Sequence, residues 1–208
     1  MDKQITGSVS SALIYLNALI IGAVVMGFEM LGSRYLFPYF GSGIGTWAGL
    51  ISTVLTALTI GYLAGGVIID HYPSPHVIAV CVAAAGIYLA LIPTTADQVT
   101  SAILESCGSG PLGILLASAT LLLFPLSLLG TFSPVAIRLQ TRCTSESGRM
   151  AGLIYGVSTI GNVFGTLFTT FALIPTIGSR KITYLFAGIL AFCASSFVLA
   201  PQSPTSRD

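Results

Sequence analysis

Apolar residues in this chain come in long runs, not in the alternation of a half-buried strand or the narrow stripe of a surface helix. Six runs, near 12–34, 48–69, 77–95, 112–139, 150–174 and 182–200, match the roughly 20 residues a helix needs to cross a hydrocarbon core of about 30 Å. The pattern predicts an all-α fold, a polytopic transmembrane helical bundle of about six spans. Residues 1–200 form a single transmembrane domain in this reading, and residues 201–208 a disordered cytoplasmic tail. The first run resembles a signal peptide only in position. Its apolar stretch from Ala12 to Phe28 exceeds the usual h-region and no small-residue cleavage site follows, so it is expected to stay in the mature protein. The fourth run is long for one span and contains Pro125 and Pro134. Each proline removes a donor and strands a carbonyl four residues back, which predicts a kinked or broken helix emerging around Arg138. Between the third and fourth runs, Thr95 and Gln98 have capping-box spacing ahead of Val99, Ala102 and Ile103, predicting a short interfacial helix within 95–110.

Composition narrows the function classes. Hydrophobic residues make up 54% of the chain and charged ones 7%, where a soluble domain carries about 25% charged residues. A net charge of +1 gives no basic footprint for nucleic acid. Cys81, Cys107, Cys143 and Cys193 lie far apart, without the spacing of a zinc site or a disulfide framework. His71 and His76 merely flank a turn, Tyr72 to Pro75, between the second and third runs. The glycines Gly41, Gly43 and Gly45 follow no strand, so they are not a nucleotide fingerprint, and no Ser, His and Asp set has hydrolase spacing. Neither catalysis nor a cofactor or metal is expected.

Lys and Arg in short loops set orientation. An N-terminus inside places Lys3, Arg138, Arg142, Arg149 and Arg207 in the cytoplasm, against Arg34, Arg180 and Lys181 outside. Both termini are then cytoplasmic. The basic cluster Arg138, Arg142 and Arg149 reads as an anchor beside lipid phosphates or as a docking point for a partner.

Few residues remain to carry a site. Glu29 lies about 26 Å along a helix started at Ala12, near its outer boundary. Arg34 is about 500° further round, so the two do not pair within one helix. A structural Glu29 would bond to Ser33 or to loop amides. A functional one, walled by Tyr39, Phe40 and Trp47 in a loop begun at Pro38, would hold an organic ammonium group by charge and cation–π contact. Asp70 closes the second run and is expected to make a gate or hinge contact, close to the third helix or to the arginine cluster. Asn162 is the amide at mid-membrane, and Ser158, Asn162 and Thr166 recur along one face. Gly152 and Gly156, then Gly161 and Gly165, make small-xxx-small pairs, while the second run offers Ser52, Thr56 and Thr59, then Gly61, Gly65 and Gly66. Close packing of spans two and five is the expectation.

These residues together resemble the membrane half of the fused major-facilitator/spermidine-synthase-like proteins. The likeness covers nearly all of 12–200. It is carried by Glu29 with Arg34, by Pro38, Tyr39, Phe40, Gly41 and Ser42 with Trp47, and by GYLAGGVIID ending at Asp70. SPVAIRL from Ser133, YGVSTIGNVFGTLF and the distal IPTIGSR ending at Arg180 complete it. The resemblance implies half of a major-facilitator fold. The basic residues expected after Asp70 are replaced by Tyr72 to Pro75, and no Rossmann-like domain follows within these residues, so aminopropyl transfer is not expected. The expected function is a non-enzymatic membrane module in the cell inner or plasma membrane. It would be surrounded by lipid and act as anchor for a partner protein or as subunit of a larger membrane complex. The alternative is a small-solute carrier or half-carrier, for a polyamine or other organic cation, working as a homo-oligomer.

Overall fold

The computed structural model describes residues 10–141 and 146–199. Lys3, Arg142, Cys143, Arg207 and the expected tail 201–208 lie outside the described residues. Six helices are long and apolar enough to cross a membrane: α1 Ser11–Phe40, α2 Ile44–His71, α3 His76–Cys107, α4 Pro111–Gln140, α5 Ser147–Ile177 and α6 Ser179–Val198. The chain is a multi-pass membrane protein of the all-α class. Helices suit that environment because each backbone donor finds its acceptor within its own element.

Short links make successive helices antiparallel. The links after α1, α3 and α5 all lie at one end, and each begins on a glycine of positive φ: Gly41 at 73°, Gly108 at 69° and Gly178 at 76°. A side chain would be strained there, so these three glycines stop the helices. The same observation corrects two expectations. Pro38 does not end α1, because its missing N–H matters only to a carbonyl inside the helix, and the chain stays helical until Gly41. The 38–47 segment is therefore a helix end, a three-residue link and a helix start, not a loop dipping into the bundle. Residues 95–107 are not an interfacial helix either, since α3 is continuous from His76 to Cys107. Thr95 donates its hydroxyl to the Leu91 carbonyl at 3.0 Å instead of capping. Ile92, Ala96 and Thr100 keep one buried stripe running past that point.

The expected irregularity of α4 is present. Ala119–Leu123 form a π turn two residues before Pro125, and a turn at Thr131 precedes Pro134. In a π turn the Thr120 carbonyl looks for the N–H five residues on, which is Pro125 and has none. Tyr88 of α3 supplies the missing donor, its hydroxyl bonding the Thr120 carbonyl. Its ring packs on Phe124 at 5.2 Å between centroids. α5 repeats the device unannounced, with a π turn at Thr169–Leu173 before Pro175 and the Ile174 N–H donating to the Thr169 carbonyl. Thr120, Leu123 and Pro125 match Thr170, Leu173 and Pro175 in spacing.

α1 packs chiefly on α5, α3 on α6, and α2 on α4. Small residues set each approach. A Cβ on Gly161 would meet the Leu19 carbonyl, and one on Gly165 the Ala23 carbonyl, with the Ala23 Cα only 2.5 Å away. On α2, a Cβ at Gly65 would lie 2.8 Å from both Thr131 Cα and Pro134 Cγ of α4, and one at Gly61 2.9 Å from Gly130 Cα. The expected packing of α2 on α5 is thus corrected. Both glycine rows make close helix contacts, but each has a different partner. α2 and α5 meet through the edge-to-face rings of Tyr62 and Tyr155, 6.2 Å apart. Ser52, Thr56 and Thr59 are exposed, the last two bonded to carbonyls of their own helix.

Gly165→Leu should lower the thermal midpoint in detergent strongly, since overpacking costs about 1–3 kcal/mol even where side chains yield, and here backbone must move. Gly156→Leu, where nothing stands within 4 Å, should leave it unchanged. Equal midpoints for the two variants would remove the α1/α5 contact from the account.

Candidate functional site: the polar crevice between α1, α2, α4 and α5

Glu29 is 7% exposed, on a helix whose neighbouring residues Phe28 and Leu31 are fully buried. α1 is 30 residues long, about 45 Å at 1.5 Å per residue, so Glu29 stands about 5 Å from its midpoint. Because the helix extends to Phe40, the carboxylate stands nearer the helix midpoint than its end. Ser33 does not hold it, because the Ser33 hydroxyl donates to the Met30 carbonyl at 2.7 Å. Among the described residues no ion pair involves Glu29 or the exposed Arg34.

The aromatic wall does not assemble around Glu29. Tyr39 lies ten residues on, about 15 Å up the helix, and stands beside Asp97. Phe40 lies against Gly113 at the start of α4. Trp47 packs edge-on against Phe37 with ring centroids 5.6 Å apart. These rings tie the end of the bundle together. Next to them Arg180 of α6 pairs with Asp97 of α3, and the Tyr35 and Thr183 hydroxyls share a 2.9 Å hydrogen bond. Asp97 drew no attention in the sequence, where it lies in a polar stretch between Thr95 and Gln98.

At the other end Asp70 is not inside the bundle. It is exposed at the end of α2, its Oδ1 3.8 Å from Arg138 Nε of α4. The expected partnership with the arginine cluster is present at Arg138, as an exposed pair of the kind worth about 0–1 kcal/mol. Arg149 is exposed near the start of α5.

The remaining polar residues do converge. Gly22 of α1 faces Ser158 and Asn162 of α5, a Cβ there lying 3.0 Å from Asn162 Oδ1. Beside this contact is a cavity of about 30 Å³ lined by Tyr62 of α2, Ser133 of α4, and Ser158 and Asn162 of α5. Asn162 Oδ1 is buried there without a hydrogen-bond partner. Ser133 is 6% exposed and likewise has no hydrogen bond within the described residues. Thr166 stands one turn above Asn162 on the same face, its hydroxyl returned to the Asn162 carbonyl at 2.9 Å. Glu29 is seven residues from Gly22, about two turns up and only about 20° round, so it shares the face of α1 that borders this crevice. Tyr62 and Ser133 were not singled out as site residues. A tyrosine within an aliphatic, glycine-rich span was their visible signal. His71 and His76 gather no further ligands, and no group of three His, Cys, Asp or Glu side chains is found among the described residues.

Glu29→Gln should leave the thermal midpoint unchanged or raise it, because the carboxylate has no protein partner to lose and a buried charge is costly. A fall equivalent to more than about 1 kcal/mol would reveal a bond on which the fold depends.

No protein-family model, curated protein or solved structure matches the chain, so its chemistry has to be read from this geometry.

Proposed function

We propose that this chain is a non-enzymatic membrane module that works as a subunit, with a second helical unit covering its α2/α5 face. One observation carries the reading. Of the apolar stretches of α2 and α5, 28% and 17% are buried, against 39–50% in the other four helices. That face is shaped for close approach. Around Gly66 of α2 and Gly152 and Gly156 of α5, nothing stands within 4 Å of the place a methyl group would take, leaving notches for another helix. Exposed Thr56, Thr59 and Thr159 already donate to the carbonyls of Ser52, Leu55 and Tyr155, so they enter an apolar interface without an unmet donor. The stacked rings of Phe164 and Phe168, 5.2 Å apart, supply area beside them.

A second reading, a half-carrier for a small solute such as a polyamine or other organic cation, is favoured by the crevice. Four polar residues line it, and a buried acid without an ion pair, Glu29, stands two turns along the face of α1 that borders it. The resemblance to the membrane half of spermidine-synthase-like fusion proteins agrees with either reading. An inner or plasma membrane location goes with this reading, and the basic-residue count over the whole chain supports both termini in the cytoplasm.

Single cysteines introduced by Thr56→Cys or Phe164→Cys in a cysteine-free background should give cross-linked species in membranes. Ile87→Cys, on the exposed side of α3, should not. Cross-linking at Ile87→Cys alone would move the interface elsewhere. In the wild-type chain Cys107, which is exposed, should react with an impermeant maleimide in intact cells. Protection until the membrane is opened would invert the topology.

A further inference from the structure

The geometry points to a binding site for one small monovalent cation in the cavity between α1, α2, α4 and α5. Its walls carry Asn162, whose Oδ1 is buried without a partner beside Gly22, and Ser133, 6% exposed. Tyr62 and Ser158 line the same space. An orphaned buried acceptor costs about 1–3 kcal/mol, and a bound cation or its hydrating water removes that cost. No Lys or Arg lines the cavity to compete.

The donor set selects the class of ion. Neutral amide and hydroxyl oxygens suit an alkali ion or a primary ammonium headgroup, whereas thiolate and imidazole select transition metals. No cluster of three His, Cys, Asp or Glu side chains stands among the described residues to hold a multivalent ion. Size selects within the class. A cavity of about 30 Å³ has room for a sodium or potassium ion or a methylammonium-sized head. Glu29, an acidic side chain, stands two turns away on the same face of α1. The site lies within one copy of the chain, so it stands apart from whatever covers α2 and α5.

The test uses the full chain in detergent at constant ionic strength set with tetramethylammonium chloride. Sodium, potassium and methylammonium chlorides are titrated while the thermal midpoint is followed, and binding is checked by equilibrium dialysis with labelled sodium and methylammonium. At least one of the three should raise the midpoint saturably. The half-saturating concentration should rise about ten-fold or more in Ser133→Ala and in Asn162→Ala, as expected for loss of one ligand to a charged group. Thr56→Ala, outside the cavity, should behave as wild type. Saturation by sodium or potassium alone identifies an alkali-ion site, and saturation by methylammonium alone an ammonium-headgroup site; both support the assignment. No effect beyond tetramethylammonium, or wild-type titrations in both cavity variants, overturns it. If Asn162→Ala does not yield monodisperse protein, Ser133→Ala decides. Cross-linking on the α2/α5 face with no cation effect would sink this inference and leave the subunit reading in place.

Discussion

The contact between α1 and α5 governs the rest of the bundle. With Gly161 and Gly165 on one side and the carbonyls of Leu19 and Ala23 on the other, two backbones meet without intervening side chains. In a hydrocarbon solvent, helices gain little from burying leucine, because lipid tails offer the same contacts, so association depends on close van der Waals approach at small residues. That approach fixes which side of α5 faces inward. It directs Asn162 toward Gly22, and it leaves Phe164, Leu167 and Phe171 exposed on the far side of the same helix. The glycine row of α2 does the same against Gly130 and Thr131 of α4. Because the two rows are taken up by different partners, α2 and α5 touch at Tyr62 and Tyr155 and leave a polar crevice between them.

Proline shows how the same solvent is accommodated within a helix. A missing N–H in the bilayer leaves a carbonyl with no water to turn to, so another donor or a local change of register must answer it. α4 uses both: the π turn before Pro125 and the Tyr88 hydroxyl on the Thr120 carbonyl. α5 uses the π turn before Pro175, which begins at buried Thr169. The irregular stretches thus fall on two of the four helices that border the crevice, while α1 and α3 carry Pro38 and Pro93 without leaving the α-helical path.

How much of this the chain reveals depends on the range of the physics involved. Span number and class are legible because hydropathy over about 20 residues is a local, additive property. The break in α4 is legible because Pro125 and Pro134 act on their own helix. Span length is less so: Pro38 and Thr95 look like boundaries, yet proline is tolerated in a membrane helix and a hydroxyl can return to its own carbonyl, so the glycines at 41 and 108 decide instead. Partner choice is illegible from one chain. Gly61, Gly65, Gly161 and Gly165 announce close contacts but carry no address, and reading them as one interface put α2 on α5. The aromatic wall around Glu29 failed for a related reason. Closeness in sequence became about 15 Å of helix once α1 ran through Pro38 to Phe40.

Glu29 acquires its meaning from that error. At the helix end it would be one interfacial acid among several charged groups, solvated and cheap. About 5 Å from the midpoint of a 30-residue helix, with no ion pair and no hydrogen bond among the described residues, it is a group the fold gains nothing by keeping. The polar residues around it follow the same logic. Asn162 and Ser133 stand where aliphatic side chains would pack as well for stability, and neither satisfies the other. A bundle held by backbone approach at Gly165 does not require any of the three. Ends tied by Arg180 with Asp97, and by Asp70 with Arg138, do not require them either. Asn162 and Ser133 line the cavity beside α1, and Glu29 lies two turns along the face of α1 that borders it. Stability alone therefore does not explain why polar groups are kept at these positions in a hydrocarbon solvent.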